Sequence, residues 1–128
     1  MSEHAEPETI LVVEDEPSVR ELVRTILEMH GYAVLEAGSG ADALRICAQH
    51  TGPIHLLLTD VLMPGMDGTE FVRRALVLRP RARVLYMSGY PDSESLLQRL
   101  AIGTPFIQKP FDPHALASKV REILRNPA

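Results

Sequence analysis

The chain has 128 residues and a formal net charge of −4; 45% of its residues are hydrophobic and 23% are charged. This length is typical of one domain with one hydrophobic core, and the acidic balance argues against general nucleic-acid binding by the domain. No segment approaches the roughly 20 apolar residues of a membrane span, and the N-terminus lacks the pattern of a signal peptide. We therefore predict a cytoplasmic domain over residues 9–125, preceded by an acidic disordered tail or linker (1–8) and followed by a short tail (126–128).

The lone cysteine, the five histidines and a cluster of five arginines have simple structural interpretations. Cys47 lies in an apolar helical pattern, where a lone thiol most often acts as a small buried hydrophobe. The five histidines show neither an i,i+4 pair nor the Cys/His spacing of a zinc site. Five arginines crowd into one segment, where a solvated helix face is the simplest interpretation and a docking surface for an acidic partner is the alternative. They are Arg73, Arg74, Arg79, Arg81 and Arg83.

An apolar run after the acidic N-terminal segment predicts a strand over residues 9–13. Helical spacing begins at about Pro17, which fits the first position of a helix. Gly31 ends this first helix. Its predicted buried face carries Val19, Leu22, Val23 and Ile26.

The remaining elements continue the alternation of apolar runs and helical spacing. Ser39 and Asp42 are predicted to cap the second helix, and Asp112 followed by Pro113 starts the last one. A Pro/Gly loop over residues 63–68 precedes the third helix. The other predicted strands cover residues 32–37, 56–60, 84–87 and 105–108, and a shorter helix covers residues 92–100.

Five strands that alternate strictly with five helices predict an α/β fold, in which a parallel sheet has helices on both faces. In sheets of this kind ligands bind beyond the carboxyl ends of the strands. Polar side chains fall at these ends four times along the sequence. Glu14 and Asp15 follow the first strand, Asp60 ends the third, Ser88 follows the fourth and Lys109 follows the fifth.

The three carboxylates among these residues predict a cation site. Like charges about 4 Å apart repel by roughly 4 kcal/mol at an effective dielectric of about 20, so the cluster either takes up protons or recruits a cation. Oxygen ligands select a hard ion such as Mg²⁺. Lys109 can neutralise one charge, which still leaves room for a divalent metal. The constellation implies chemistry on phosphate.

Four segments resemble the motifs of response-regulator receiver domains. They are residues 13–17 (Val-Glu-Asp-Glu-Pro), 60–68 (Asp-Val-Leu-Met-Pro-Gly-Met-Asp-Gly), 87–89 (Met-Ser-Gly) and 108–111 (Gln-Lys-Pro-Phe). The resemblance spans about residues 9–125. It implies a flavodoxin-like, doubly wound receiver fold, with a five-stranded parallel sheet in the order 2-1-3-4-5 and five flanking helices.

The resemblance implies that Asp60 is the phosphoacceptor. Its carboxylate would attack the phosphoryl group of a phosphohistidine on a partner kinase and give an acyl phosphate. Mg²⁺ would be held by Asp15, Asp60 and the backbone carbonyl of Leu62, whereas Glu14 would act through a metal-bound water. Receivers commonly have aspartate at the Glu14 position, so the longer side chain is a departure that can change metal affinity or geometry.

The resemblance also implies roles for Lys109, Ser88 and Phe106. Lys109 would contact a phosphoryl oxygen, and its peptide bond to Pro110 would be cis. The Ser88 hydroxyl would move to hydrogen-bond the phosphoryl group, and Phe106 would then turn inward as the switch aromatic. Because Phe106 lacks the tyrosine hydroxyl often found there, a permanently buried core phenylalanine is the alternative interpretation.

Leu62 and Tyr90 lie two residues after Asp60 and two after Ser88, respectively. In the family these positions influence how readily water reaches the acyl phosphate. Apolar and aromatic groups there predict slow self-hydrolysis.

Two rival functions fit the residues poorly. A hydrolase of the dehalogenase type would need a second acid at the Leu62 position, and a flavodoxin would need a Ser/Thr/Gly phosphate loop where residues 14–16 are acidic. The alternative that stays open is a receiver-like protein-interaction module with little or no phosphorylation.

The expected partners follow from the same resemblance, which is to receivers of hybrid sensor histidine kinases. The phosphodonor would be a histidine kinase or phosphotransfer protein facing the first helix, and the output a downstream protein partner. That partner is expected to contact the helix predicted over 92–100, the last strand and the last helix. Since only three residues follow the last helix, we expect no output domain in this chain, and no nucleic-acid or membrane contact by the domain itself.

Overall fold

The structure is a computed structural model that describes residues 6–89 and 104–125. Five parallel strands form one sheet in the order β2-β1-β3-β4-β5, which confirms the predicted fold and strand order. The strands are β1 (Thr9–Val13), β2 (Ala33–Ala37), β3 (Leu56–Asp60), β4 (Arg83–Ser88) and β5 (Phe106–Gln108). The helices within the described residues are α1 (Pro17–Met29), α2 (Gly40–Gln49), α3 (Gly68–Leu78) and α4 (Pro113–Arg125).

The helix predicted over residues 92–100 lies outside the described residues, as do most of the predicted linker (1–5) and the C-terminal tail (126–128). Among the residues that are described, no helix is both long and apolar enough to cross a membrane.

Side chains cover the sheet on both faces. Along β1, Leu11 and Val13 pack in the same cluster as Phe71 of α3. Ile10 and Val12 point to the opposite face and pack with side chains of α1 and α4. All five residues of β3 are buried. Strands buried on both faces are typical of parallel sheets, which explains why the sequence shows continuous apolar runs instead of a period of two.

The predicted buried face of α1 is wrong at one position. Leu22 is 52% exposed, whereas Leu27 is fully buried together with Val23 and Ile26. Successive residues of a helix are about 100° apart, so Leu22 lies about 100° around the axis from Val23 and outside the stripe that meets the sheet.

Side-chain caps start three of the helices. The Ser39 hydroxyl accepts a hydrogen bond from the Asp42 N–H at 3.1 Å, and Asp112 accepts one from a backbone N–H of α4 at 3.0 Å; both caps were predicted. Asp67 caps α3 by accepting from the Glu70 N–H at 2.9 Å. This third cap fixes the direction in which the chain leaves the loop after β3.

The arginine-rich segment is not one solvated face. Arg79 donates to three carbonyl oxygens at the end of α2 and in the turn after it, those of Cys47 (2.9 Å), His50 (2.6 Å) and Gly52 (2.6 Å). Its positive charge also lies where the helix dipole of α2 is negative. Arg79 therefore ties the end of α3 to the end of α2. Arg73, by contrast, is 72% exposed.

Replacing Arg79 is expected to destabilise the fold. Arg79→Ala leaves three carbonyl groups without their charged donor, and a hydrogen bond to a charged group contributes a net stabilisation of about 1.5–3 kcal/mol. Because Arg79 is only partly buried, water can take over part of these contacts in the variant. We expect the free energy of unfolding, measured by urea denaturation, to fall by about 2 kcal/mol. The matched control is Arg73→Ala, which removes an exposed ion pair with Glu70 at 3.5 Å and should cost about 0.5 kcal/mol or less. Equal losses in the two variants would contradict the assignment.

Candidate functional site

The carboxyl ends of four strands bring the predicted polar residues to one edge of the sheet. Glu14 follows β1, Asp60 ends β3, Ser88 ends β4 and Lys109 follows β5. Main-chain hydrogen bonds extend the sheet past these ends. The Glu14 N–H donates to the Ala37 carbonyl at 3.1 Å, and the Lys109 N–H donates to the Ser88 carbonyl at 2.7 Å. The positions of these side chains are therefore set by the strands and not by loops.

The three carboxylates meet as predicted. One carboxylate oxygen from each of Glu14, Asp15 and Asp60 lies within 4.8 Å of the others. Glu14 and Asp60 are almost completely buried, with 1% and 3% of their surface exposed, whereas Asp15 is exposed. This donor set, of carboxylate oxygens alone, is the one that hard divalent cations prefer.

Lys109 is the internal cation of the cluster. Its ammonium Nζ donates to Asp60 Oδ2 at 2.7 Å and forms a short ion pair with Glu14 Oε1. Burial lowers the pKa of Lys109, but the hydrogen bonds to Asp60 and Glu14 outweigh burial and raise it above its usual value. Lys109 therefore stays charged at neutral pH. The Lys109–Pro110 peptide bond is cis, as the resemblance implies.

Glu14 is engaged by the protein through both carboxylate oxygens. Oε1 accepts from Lys109, and Oε2 accepts from the Glu16 N–H at 3.1 Å. Burial raises the pKa of Glu14; the hydrogen bond from Lys109 opposes this rise, and the neighbouring Asp60 carboxylate adds to it. Charge repulsion with Asp60 is thus only partly relieved by the lysine.

Two buried polar atoms at this edge have no hydrogen-bond partner among the described residues. They are Asp60 Oδ1 and Ser88 Oγ. An unsatisfied buried polar atom costs free energy, and native proteins keep few of them. Their position beside the carboxylate cluster marks the place where another group can complete the site.

The loop between β3 and α3 closes one side of the site and depends on Gly68. A Cβ atom at this position would lie 2.0 Å from the backbone oxygen of Asp60, so only glycine fits. The Gly68 N–H also donates to the Val61 carbonyl at 2.8 Å. A cavity of about 480 Å³ lies at this edge of the sheet, and its lining includes Asp15, Asp60, Leu62 and Lys109.

The predicted switch residues lie on neighbouring strands. Ser88 ends β4 and is fully buried, whereas Phe106 begins β5 opposite Tyr86 and is only partly buried, against the core cluster that contains Phe71. The switching of Phe106 stays a prediction, and so does its alternative as a permanent core residue. Tyr90 lies outside the described residues.

A family model for the response regulator receiver domain matches residues 10–121. The chain belongs to this family. Receiver domains take phosphoryl groups from histidine kinases or phosphotransfer proteins in two-component signalling. This assignment accounts for the fold, for the acidic cluster and for the lysine at the end of β5 with one chemistry.

Similar proteins include receivers in very different contexts. The chain is 36% identical over 118 residues to the sensor kinase CckA of Brucella abortus, covering 91% of this chain but 12% of that protein. It is 30% identical over 118 residues to sporulation initiation phosphotransferase F of Bacillus subtilis, covering 91% of this chain and 94% of that protein. The crystal structure of the receiver domain from the hybrid histidine kinase CckA matches with a TM-score of 0.78 and 38% identity, covering 91% and 99% of the two chains.

The first curated relatives are longer than this receiver, which spans about half of their length or less, from 12% to 51%. A receiver can therefore be one module among others in proteins of this family.

Sequence reasoning brought the right side chains together but missed how they pair. It assigned Lys109 to neutralise one charge, whereas the ammonium contacts two carboxylates. The close approach at Gly68 and the contacts of Arg20 behind the cluster were also missed. A signal for the contacts of Arg20 is present in the sequence. Two arginines, Arg20 and Arg24, lie at i,i+4 on α1, and the strand β2 carries a charged residue, Glu36.

Removing the Lys109 ammonium is expected to destabilise the receiver at neutral pH. Lys109→Met leaves two buried carboxylates without their cation, which should lower the free energy of unfolding by about 3 kcal/mol. Without the lysine, the pKa of Glu14 in the folded state rises further above its unfolded value. A carboxyl group whose pKa is raised by folding destabilises the folded state when it is ionised. Its contribution to stability is therefore fully present below the unfolded pKa, where the group is protonated, and is lost as the pH rises through the folded pKa.

The loss should therefore shrink as the pH falls from neutral to about 5, measured by urea denaturation across that range. Lys119→Met is the control, because it removes a lysine from a solvent-exposed ion pair instead of a buried one. The Lys119 Nζ lies 3.7 Å from Glu122 Oε1. A Lys109→Met loss that does not change with pH would contradict the pairing of Lys109 with buried carboxylates.

Proposed function

We propose that this receiver accepts a phosphoryl group on Asp60 from the phosphohistidine of a histidine kinase or phosphotransfer protein. The observation that carries the proposal is the geometry of Asp60. It is a buried carboxylate at the end of a central strand, with Oδ2 held by Lys109 and Oδ1 without a partner among the described residues. A nucleophile that is fixed in place and only partly neutralised suits phosphoryl transfer, which depends mainly on positioning and electrostatics.

Mg²⁺ fits the donor set of the same site. Asp15 and Asp60 would hold the ion together with the backbone carbonyl of Leu62, and Glu14 would act through a metal-bound water. Three carboxylates and one ammonium leave two negative charges, which a divalent ion balances. When bound, Mg²⁺ supplies neutralisation of the phosphoryl oxygens and orientation of the acceptor.

The transfer balances without a further reactant. A carboxylate oxygen of Asp60 attacks phosphorus, the P–N bond to the donor imidazole breaks, and the nitrogen leaves with the electron pair. The product is an acyl phosphate on Asp60. The chain is thus proposed to act as a phosphoacceptor that takes part in its own modification, and not as an enzyme with a separate substrate.

Lys109 and Ser88 are proposed to hydrogen-bond the phosphoryl group once it is attached to Asp60. The ammonium of Lys109 already donates to Asp60, so a small movement brings it to an oxygen of the phosphoryl group. Ser88 is buried with an unpartnered hydroxyl that can donate to another such oxygen. Movement of Ser88 is proposed to make room for Phe106 to turn inward, which would change the surface presented to a downstream partner.

The context of the receiver within a longer protein is part of the proposal. Similarity to the receiver of a hybrid kinase favours a module of such a protein, and similarity to a phosphotransferase of nearly the same length keeps a stand-alone regulator open. In either case we propose that this receiver is cytoplasmic, that its phosphodonor contacts α1 and that a protein partner binds the phosphorylated surface.

Labelling with a small phosphodonor tests the assignment of Asp60. Acetyl phosphate with Mg²⁺ should add one phosphoryl group to the wild-type chain, detected by intact mass, because all the residues proposed for the acceptor site belong to this chain. Chelation of Mg²⁺ should abolish the labelling. The product should be cleaved by hydroxylamine, as expected for an acyl phosphate.

Asp60→Asn is the matched control, because it keeps the shape of the side chain but removes its nucleophilic charge. Label that persists on this variant would overturn the assignment of Asp60. Wild-type protein that is folded, binds Mg²⁺ and yet takes no label from acetyl phosphate or from purified histidine kinases would favour the interaction module instead.

The Ser88 hydroxyl is expected to act after phosphorylation and not during it. Ser88→Ala should leave the extent of Asp60 labelling within about twofold of wild type, because positioning of the acceptor does not involve this hydroxyl. It should weaken the difference in partner affinity between the phosphorylated and unphosphorylated forms. Ser88→Thr, which keeps the hydroxyl, should retain that difference. Equal partner affinity in phosphorylated wild type and Ser88→Ala would contradict the switch.

A further inference from the structure

An arginine of α1 contacts the main chain at Glu14, one of the three residues of the acidic cluster. Arg20 Nη1 donates to the carbonyl oxygen of Glu14 at 2.7 Å. This carbonyl belongs to the peptide unit that joins Glu14 to Asp15. The contact therefore restricts rotation of that unit, and with it the direction in which the chain delivers Asp15.

Arg20 is itself held by the neighbouring strand. Its Nε lies 3.6 Å from Glu36 Oε1, and the other carboxylate oxygen of Glu36 accepts from Arg24 Nη1 at 2.9 Å. Only 23% of the Arg20 side chain is exposed. Gly38 leaves room for the guanidinium, because a Cβ there would lie 3.2 Å from Arg20 Nη1. Arg20 thus bridges α1, β2 and the loop after β1.

The two acids that follow β1 differ in how they are held. The side chain of Glu14 is buried and engaged by Lys109 and by the Glu16 N–H. Asp15 is exposed. The position of the Asp15 carboxylate therefore depends on the path of the main chain, which the Arg20 contact fixes from one side and the hydrogen bond from the Glu14 N–H to the Ala37 carbonyl fixes from the other.

We propose that Arg20 is a positioning residue for the cation site: by holding the Glu14 carbonyl, it keeps the Asp15 carboxylate where a divalent cation needs it. The proposal rests on the proposed function, since that function gives Asp15 its role toward Mg²⁺. Residues that orient metal ligands without touching the metal commonly change metal affinity by about 10–100-fold when they are replaced.

Titration of the full chain with Mg²⁺ by isothermal calorimetry tests the proposal. Arg20→Gln is expected to bind Mg²⁺ about tenfold more weakly than wild type. Arg24→Gln is the matched control, because Arg24 lies one turn later on the same helix and pairs with the same Glu36 but does not contact Glu14. Its Mg²⁺ affinity should stay within about twofold of wild type.

The direction of the change separates positioning from simple charge effects. Arg20→Gln removes a positive charge near the site. If only the electrostatic repulsion between Arg20 and the cation mattered, this variant would bind Mg²⁺ more tightly than wild type. Arg20→Lys keeps the charge but has a single ammonium that cannot bridge the Glu14 carbonyl and Glu36 in the way a guanidinium does. Its affinity is expected between those of wild type and Arg20→Gln.

A measurement without metal provides a second readout. Amide hydrogen exchange at Glu14, whose N–H donates to Ala37, should be faster in Arg20→Gln than in wild type or Arg24→Gln, with unchanged exchange in the centre of β3. If Arg20→Gln does not fold, Arg20→Lys carries the same comparison. Unchanged or tighter Mg²⁺ binding in the Arg20 variants would overturn the proposal.

Failure of this proposal is distinguishable from failure of the proposed function. Wild-type protein that takes label from acetyl phosphate, together with Arg20 variants that bind Mg²⁺ like wild type, would refute only the role of Arg20. Wild-type protein that is not labelled would refute the function itself.

Discussion

The contact on which the site depends is the bridge that Lys109 makes between two buried carboxylates. Its ammonium joins the end of β5 to Glu14 after β1 and to Asp60 on β3. Without this cation, two carboxylates would be buried side by side, and the cost of removing ions from water is several kcal/mol each. The lysine makes the cluster tolerable but leaves it negative. The sheet therefore carries, at one edge, a net negative cluster of carboxylates that could hold a metal ion.

The site has features that are unfavourable for stability alone. Asp60 Oδ1 and Ser88 Oγ are buried without a hydrogen-bond partner among the described residues. The start of α3 also requires glycine at position 68, because a larger residue would collide with the backbone of Asp60. Each feature lowers stability or restricts the sequence. Local departures of this kind are expected where function, and not folding, sets the choice of residue.

Sequence patterns predicted those parts of the structure that depend on local periodicity. Strand β1 and the start of α1 at Pro17 agree with the prediction, because an apolar run and a proline are local signals. The strand ends then placed Glu14, Asp60 and Lys109 together correctly. The pairing itself could not be predicted, since Lys109 and Glu14 are 95 positions apart and their contact depends on how β5 lies beyond β3 and β4. Leu22 was misplaced because helical spacing defines a stripe but not its edges.

The glutamate at the position where receivers commonly have aspartate gives the two adjacent acids different tasks. Glu14 reaches Lys109 with one oxygen and the Glu16 N–H with the other. An aspartate has one methylene fewer, so its carboxylate would lie about 1.5 Å closer to the main chain and could not keep both contacts without a shift of the backbone. Both carboxylate oxygens of Glu14 are thus engaged by protein groups, one of them by the lysine. Asp15, by contrast, is exposed and lines the cavity, and the described residues show no buried contact that restrains its side chain in this way.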